Sequence, residues 1–277
     1  MTKSRNDLPR PRHVLITGGS SGIGAALVRR FAGDGWAVSL TYNRGRASAE
    51  ALIGELTDRG DGAWPVRAFE LDLRALESVR ALSTALPSPI DVLINNAGVG
   101  TKTVEHLEAD PYLQDAAMMQ VNAVGTLWLT RLLMPGMLVR ARESGRPGAI
   151  VVLSSVGGGI TQFPNFRLSD GMSKAALAHL GRQLGAELAH EPLDVYTVCP
   201  GAVDTPMFRQ STMDPLDDAD REALRRALPE GRMIEPEEMA ELIHWLCTNR
   251  AARTLRGSVL DASLGLGVHP GALTGRE

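Results

Sequence analysis

Only two cysteines, Cys199 and Cys247, occur in 277 residues. That scarcity excludes a disulfide framework, and with no CxxC or Cys/His spacing no thiolate metal site is expected. Long apolar runs are missing as well, so neither a membrane-spanning helix nor an apolar signal core is expected. No sign of charge is in excess. Lys and Arg total 29 against 32 Asp and Glu, and the net charge of −3 gives no electrostatic reason to expect nucleic acid or an anionic membrane as partner. Lysine is rare: only Lys3, Lys102 and Lys174 are present, the other basic residues being arginine. A lysine inside a motif therefore stands out. Tyrosine is confined to Tyr42, Tyr112 and Tyr196.

What is present is ordinary for a globular core: 44% hydrophobic and 22% charged residues. The length suits one large α/β domain over 13–277, preceded by a polar arm over 1–12, and a cytoplasmic enzyme acting on a small molecule is the expectation. Apolar runs alternate with amphipathic stretches, the pattern of βαβ units and a parallel sheet. Strands are predicted at His13–Thr17, Ala37–Thr41, Ala63–Glu70, Val92–Asn95, Ala149–Ser154, Val195–Cys199 and Ser258–Asp261. Helices are predicted near Gly22–Asp34, Ala47–Arg59, Leu76–Ala85, Tyr112–Arg142, Ser173–Ala189 and Pro236–Thr248. Residues 206–232 form the longest irregular-looking insert, a candidate lid over a ligand.

The segment HVLITGGSSGIG, His13 to Gly24, reads as strand, glycine-rich turn and helix. Gly18 permits a sharp turn, Gly22 a close backbone approach to a pyrophosphate, and Gly24 tight helix–strand packing. The helix N-terminus adds unpaired N–H groups and a positive dipole end. Asp72 follows a strand where a carboxylate can accept from an adenine amino group. Asn96, Ala97 and Gly98 end the fourth strand with small and amide side chains, as a close approach requires.

These motifs, with Asn122 in QVNAVGT, SSVGG at 154–158, SK at 173–174, PGAVDT at 200–205 and EPEEMA at 235–240, resemble the short-chain dehydrogenase/reductase family from about Val14 to Gly267. The resemblance implies a Rossmann-type, doubly wound, seven-stranded parallel sheet in a single domain, assembled as a homodimer or homotetramer. It places a nicotinamide dinucleotide on Gly18, Ser20, Ser21, Gly22, Ile23 and Gly24 at the turn, with Asp72 and Leu73 near the adenine. Asn96, Ala97, Gly98 and Lys174 follow, and Pro200, Gly201, Val203 and Thr205 lie around the nicotinamide. An acidic residue at the end of the second strand would mark NAD(H) in this family. Here that strand runs into Asn43, Arg44, Gly45 and Arg46, and guanidinium groups suit a 2′-phosphate, so NADP(H) is expected over NAD(H).

By the same resemblance Asn122 supports a proton-relay water, Ser155 binds the substrate carbonyl, and Lys174 holds the nicotinamide ribose. The family's catalytic tyrosine should stand four residues before the lysine, one helical turn back. That position is Asp170, and no tyrosine lies between Ser155 and Lys174. A neighbouring ammonium favours an ionised carboxyl, so the expectation is an Asp170–Lys174 ion pair, not a proton donor. Three readings follow. The chain is a ketoreductase or alcohol dehydrogenase on a bulky carbonyl substrate, with a proton step that does not use tyrosine. Alternatively Asp170 is the general base of a non-redox isomerase, dehydratase or cyclase, or the chain is a silent partner subunit. His179 and His190 are expected at the surface, and Cys199 as a small residue ending a buried strand.

Overall fold

A computed structural model describes residues 11–57, 64–87, 89–164 and 166–269. Seven strands form one sheet: β1 (His13–Ile16), β2 (Ala37–Tyr42), β3 (Val66–Glu70), β4 (Val92–Asn95), β5 (Gly148–Leu153), β6 (Leu193–Pro200) and β7 (Val259–Ala262). Their order is β3-β2-β1-β4-β5-β6-β7, and every pairing is parallel. β1, β4, β5 and β6 are buried along their whole length because helices cover both faces.

The helices are α1 (Gly22–Gly33), α2 (Arg46–Thr57), α3 (Leu76–Ala85), α4 (Pro111–Met119), α5 (Thr126–Ser144), the short α6 (Val156–Gly159), α7 (Leu168–Glu187), α8 (Pro206–Phe208), α9 (Asp218–Ala227) and α10 (Pro236–Thr248). One core lies between the sheet and α1, α2 and α10, and includes Val14, Phe31, Leu40, Tyr196 and Ile243. The other lies under α3, α5 and α7, and includes Leu15, Leu93, Leu129, Met137 and Leu184. The chain winds outward from β1 to β3 and then crosses back to β4. The crevice outside the carboxyl ends of β1 and β4 is therefore the topological switch point, where doubly wound sheets bind ligands.

Several boundaries differ from the sequence-based expectations. The predicted helix Tyr112–Arg142 is α4 and α5 joined by a π-helical segment, Gln120–Gly125. The extra residue per turn there has no signature in apolar periodicity. α7 begins at Leu168, a turn before Ser173, so Asp170 lies in its first turn. Residues 206–232 are largely helical: α8, a π-helical stretch Arg209–Met213, and α9. β3 begins at Val66, and Ala63, the predicted first residue, lies outside the described residues, as do residues 1–10 of the arm.

Candidate active site

The glycine turn follows from the close contacts around it. Gly18 has φ +64°, and a side chain there would meet the Ala97 backbone at 2.9 Å. A Cβ on Gly24 would stand 2.1 Å from the Gly18 carbonyl oxygen, so only glycine lets α1 start this near β1. Ser21, at the N-cap of α1, makes no side-chain capping bond, which leaves the first-turn amides without that acceptor. Asn96 ties the turn to β4, its amide donating to the carbonyls of Thr17 (2.8 Å) and Gly18 (3.2 Å). The cradle fits a dinucleotide phosphate: glycine backbone, a helix N-terminus and no carboxylate.

From this turn a cleft of about 970 Å³ runs along the carboxyl edge of the sheet. It brings together Gly18, Ser20, Ser21, Gly22, Ile23, Asn43, Arg44, Asp72, Leu73, Asn96, Ala97, Gly98, Ser155, Asp170, Lys174, Pro200, Gly201, Val203 and Thr205. Of the residues proposed from sequence, Gly24 and Asn122 do not line it. Gly24 packs behind it, as its contacts require. Asn122 is fully buried, with both amide hydrogens committed to Val99 O and Ser173 Oγ at 2.9 Å, while Oδ1 accepts from Val99 N at 2.8 Å. Its side chain buckles the Val99 loop to α7 through the π-helical segment.

At the end of the cleft beside Asp72, Arg44 donates to the backbone carbonyl of His106 and faces the cleft. Arg46 does not join it. Arg46 pairs with Glu70 at 3.1 Å and stands over the Tyr42 ring, outside the cleft, which corrects the expectation of two arginines on one phosphate. Asp72 is held by both ends of Arg74, its oxygens 2.9 and 3.1 Å from the guanidinium. That pairing keeps the Asp72 carboxyl below its ordinary pKa.

At the other end Ser155 caps α6, its Oγ accepting from Gly157 N at 3.2 Å. The cap uses a lone pair and leaves the hydroxyl hydrogen free to donate. Ser154 Oγ donates to the Lys174 carbonyl at 2.7 Å, fixing α7 against β5. Asp170 is 6% exposed. The Thr101 hydroxyl lies 3.5 Å from its Oδ2, the Thr101 backbone also acts on the carboxyl, and its Oδ1 is buried with no hydrogen-bond partner. The expected Asp170–Lys174 ion pair does not form: the two groups do not come within 4.0 Å. Burial pushes the Asp170 carboxyl above the ordinary carboxylate range, outweighing the opposing pull of Lys174. Burial likewise draws the Lys174 ammonium below its ordinary value.

Residues that sequence reasoning missed complete this end. Phe163, Phe166, Met207, Phe208, Leu216 and Leu224 wall the outer chamber with apolar surface. Arg167 lines it too, but its guanidinium is spent on Asp115 (2.7 Å), Gln114 Oε1 (3.0 Å) and the Pro111 carbonyl (3.3 Å), clamping the start of α7 to α4. Only the 206–232 lid carried a signal, its length; the two phenylalanines sit in a loop without periodicity. Cys199, next to last in β6, is fully buried, and burial raises its thiol to about 11, which argues against a nucleophile. His179 and His190 are exposed.

Fold and cleft together define a dinucleotide-binding oxidoreductase class, and comparison with known proteins agrees. The short chain dehydrogenase family matches residues 12–215, and the chain belongs to that family. It is 31% identical over 265 residues to oxidoreductase UcpA of Salmonella typhimurium, covering 92% of this chain and 97% of that one. A Pseudomonas aeruginosa RhlG/NADP active-site complex superposes with a TM-score of 0.77 at 29% identity, covering 93% and 97% of the two chains. A 3-ketoacyl-(acyl-carrier-protein) reductase from Brucella melitensis complexed with NADH does so at 0.76 and 27%, covering 93% and 99%. Similar folds thus hold either nicotinamide cofactor. No helix among the described residues is long and apolar enough to cross a membrane.

Proposed function

We propose that the protein is an NADPH-dependent carbonyl reductase in which Asp170 replaces the phenol as the acid. The observation that carries this reading is the Asp170 carboxyl itself, buried in the same cleft as Ser155 and Lys174 and unpaired at Oδ1. An ionised carboxylate with an orphaned oxygen is costly to bury, which shifts Asp170 toward its neutral form relative to an exposed carboxyl. A neutral carboxylic acid has the proton that an alkoxide requires.

The bound nicotinamide supplies hydride to the carbonyl carbon. Ser155 donates its free hydroxyl hydrogen to the carbonyl oxygen, and negative charge gathers there as the bond to hydride forms. Lys174 would hold the nicotinamide ribose, and its charge favours the carboxylate left on Asp170. The apolar chamber of Phe163, Phe166, Met207 and Phe208 supports a bulky substrate, because desolvating an apolar group against these walls is favourable. Ser20, Asn43 and Arg44, with no unpaired carboxylate beside them, support a 2′-phosphate and hence NADP(H) over NAD(H). Exposed apolar side chains on α4, α5 and α7, among them Tyr112, Leu132 and Leu168, support assembly as a homodimer or homotetramer.

The test is single-turnover oxidation of bound NADPH with a panel of aromatic and aliphatic ketones, run beside Asp170→Asn. Oxidation by the parent and its loss in the variant are expected. NADPH binding without oxidation on any ketone sinks the redox reading in favour of non-redox chemistry at Asp170.

A further inference from the structure

Asp170 lines the cleft but is only 6% exposed, and its side chain reaches less far than a tyrosine's. Something must connect the acid to a substrate oxygen. Thr101 also lines the cleft, and its hydroxyl lies 3.5 Å from Asp170 Oδ2. Resting on the carbonyl-reductase reading above, we propose that Thr101 is a catalytic proton relay between Asp170 and the substrate oxygen.

The placement is built by the fold. Thr101 sits in the loop after β4, three residues beyond Gly98. Asn122 clamps that loop through both the N–H and the carbonyl of Val99, at 2.8 and 2.9 Å. Gly100 N donates to Thr103 Oγ1 at 2.7 Å and secures the next link. From the same Asn122, the second amide hydrogen reaches Ser173 Oγ, and Ser173 Oγ donates to the Asp170 carbonyl at 2.8 Å. One buried asparagine therefore sets the loop bearing Thr101 and the helix turn bearing Asp170 against each other. The charged groups acting on Asp170 are Lys174 and Arg167, both on its own helix or its cap, while the facing loop presents the neutral Thr101.

The proton step balances. Hydride adds to the carbonyl carbon and the C=O π pair moves to oxygen, giving an alkoxide. The Thr101 hydroxyl turns its hydrogen from Asp170 to the substrate and gives it to that oxygen, as the Asp170 carboxyl proton passes to Thr101 Oγ1. Alcohol, intact threonine and an Asp170 carboxylate beside Lys174 remain. After product leaves, the carboxylate takes a proton from solvent. The 3.5 Å separation in the free enzyme is long for O–H···O, and such catalytic bonds tighten when substrate occupies the site.

The experiment uses the full chain with saturating NADPH and a ketone turned over by the parent. It compares Thr101→Val, Thr101→Ser and Asp170→Asn across pH in light and heavy water. Thr101→Val is expected to lose about 10²-fold in rate, the scale of a general acid, with NADPH affinity kept. Thr101→Ser, which keeps the hydroxyl, restores the rate to within a few-fold. Adding Thr101→Val to Asp170→Asn costs nothing further, because the pair acts as a unit. Infrared titration of the Asp170 carboxyl without cofactor gives a second readout: losing the Thr101 donor moves its midpoint upward. Thr101→Ala replaces valine if the larger side chain weakens NADPH binding. Parent-like turnover in both Thr101→Val and Thr101→Ala, with Asp170→Asn inactive, overturns the relay and leaves the reductase reading intact. Parent-like turnover in Asp170→Asn overturns both.

Discussion

At the scale of single residues, the proposed chemistry turns on Asp170, and the direction of its titration has a definite consequence. A buried carboxyl raised in the folded state binds more protons folded than unfolded between its two pKa values. Its contribution therefore destabilises the fold progressively as pH rises through that window. Asp170→Asn removes the titration at nearly constant volume. It is expected to melt higher than the parent at pH 8, with the difference shrinking as pH falls toward the ordinary carboxylate range; thermal unfolding scans at a series of pH values check this. The same substitution should cost about 10²-fold or more in NADPH oxidation with unchanged NADPH affinity, read by fluorescence titration and single-turnover kinetics. Parent activity is expected to decline toward alkaline pH as the acid ionises. Arg44 is the second decisive residue. Charge-assisted bonds to phosphate contribute about 1.5–3 kcal/mol, so Arg44→Ala should weaken NADPH by about tenfold or more and leave NADH nearly unchanged. Calorimetric titration with both cofactors decides it, and equal loss for both would remove Arg44 from the 2′-phosphate.

At the scale of elements, the glycine turn was legible because its chemistry is local: a strand, three glycines and a helix start, each with a backbone reason. Gly24 shows how strict that reason is. A methyl group would meet the Gly18 carbonyl oxygen at 2.1 Å. Gly24→Ala must push α1 away from β1, and overpacking of this kind costs about 1–3 kcal/mol. Denaturant unfolding should show that loss together with weakened dinucleotide binding, while Gly54→Ala, inside α2 with open space around it, should be unchanged or slightly more stable. The strands of the sheet were placed to within a few residues, since their continuous apolar runs declare burial on both faces. The π-helical turn at Gln120–Gly125 was not legible, because its widening is imposed by what Asn122 must reach on two other elements. Likewise α7 starts at Leu168 for a tertiary reason: Arg167, at its cap, is held by α4. The motif SK pointed to a start five residues late.

At the scale of the whole molecule, exposed apolar side chains remain on α4, α5 and α7, including Tyr112 (85%), Leu168 (83%) and Met172 (61%). Large apolar side chains left this exposed are expected to be covered in subunit contacts. Sedimentation equilibrium should give two or four times the 29.7 kDa chain mass, and Leu168→Arg with Met172→Arg should lower it. A monomeric parent would contradict the assembly expected from the family.

The linear chain determined the sheet, the dinucleotide turn and the absence of a tyrosine near Lys174, because each depends on neighbours in sequence or on composition. It did not determine the state of Asp170. From sequence the nearby ammonium argued for a charged ion pair; in the folded protein burial outweighs that attraction, and the two groups stand apart. The facing position of Thr101, the spent guanidinium of Arg167, the diversion of Arg46 to Glu70 and the apolar chamber are likewise tertiary. Each depends on segments far apart in the chain meeting at the carboxyl edge of one sheet. Desolvation and side-chain reach are properties of that meeting place, and no local pattern encodes them.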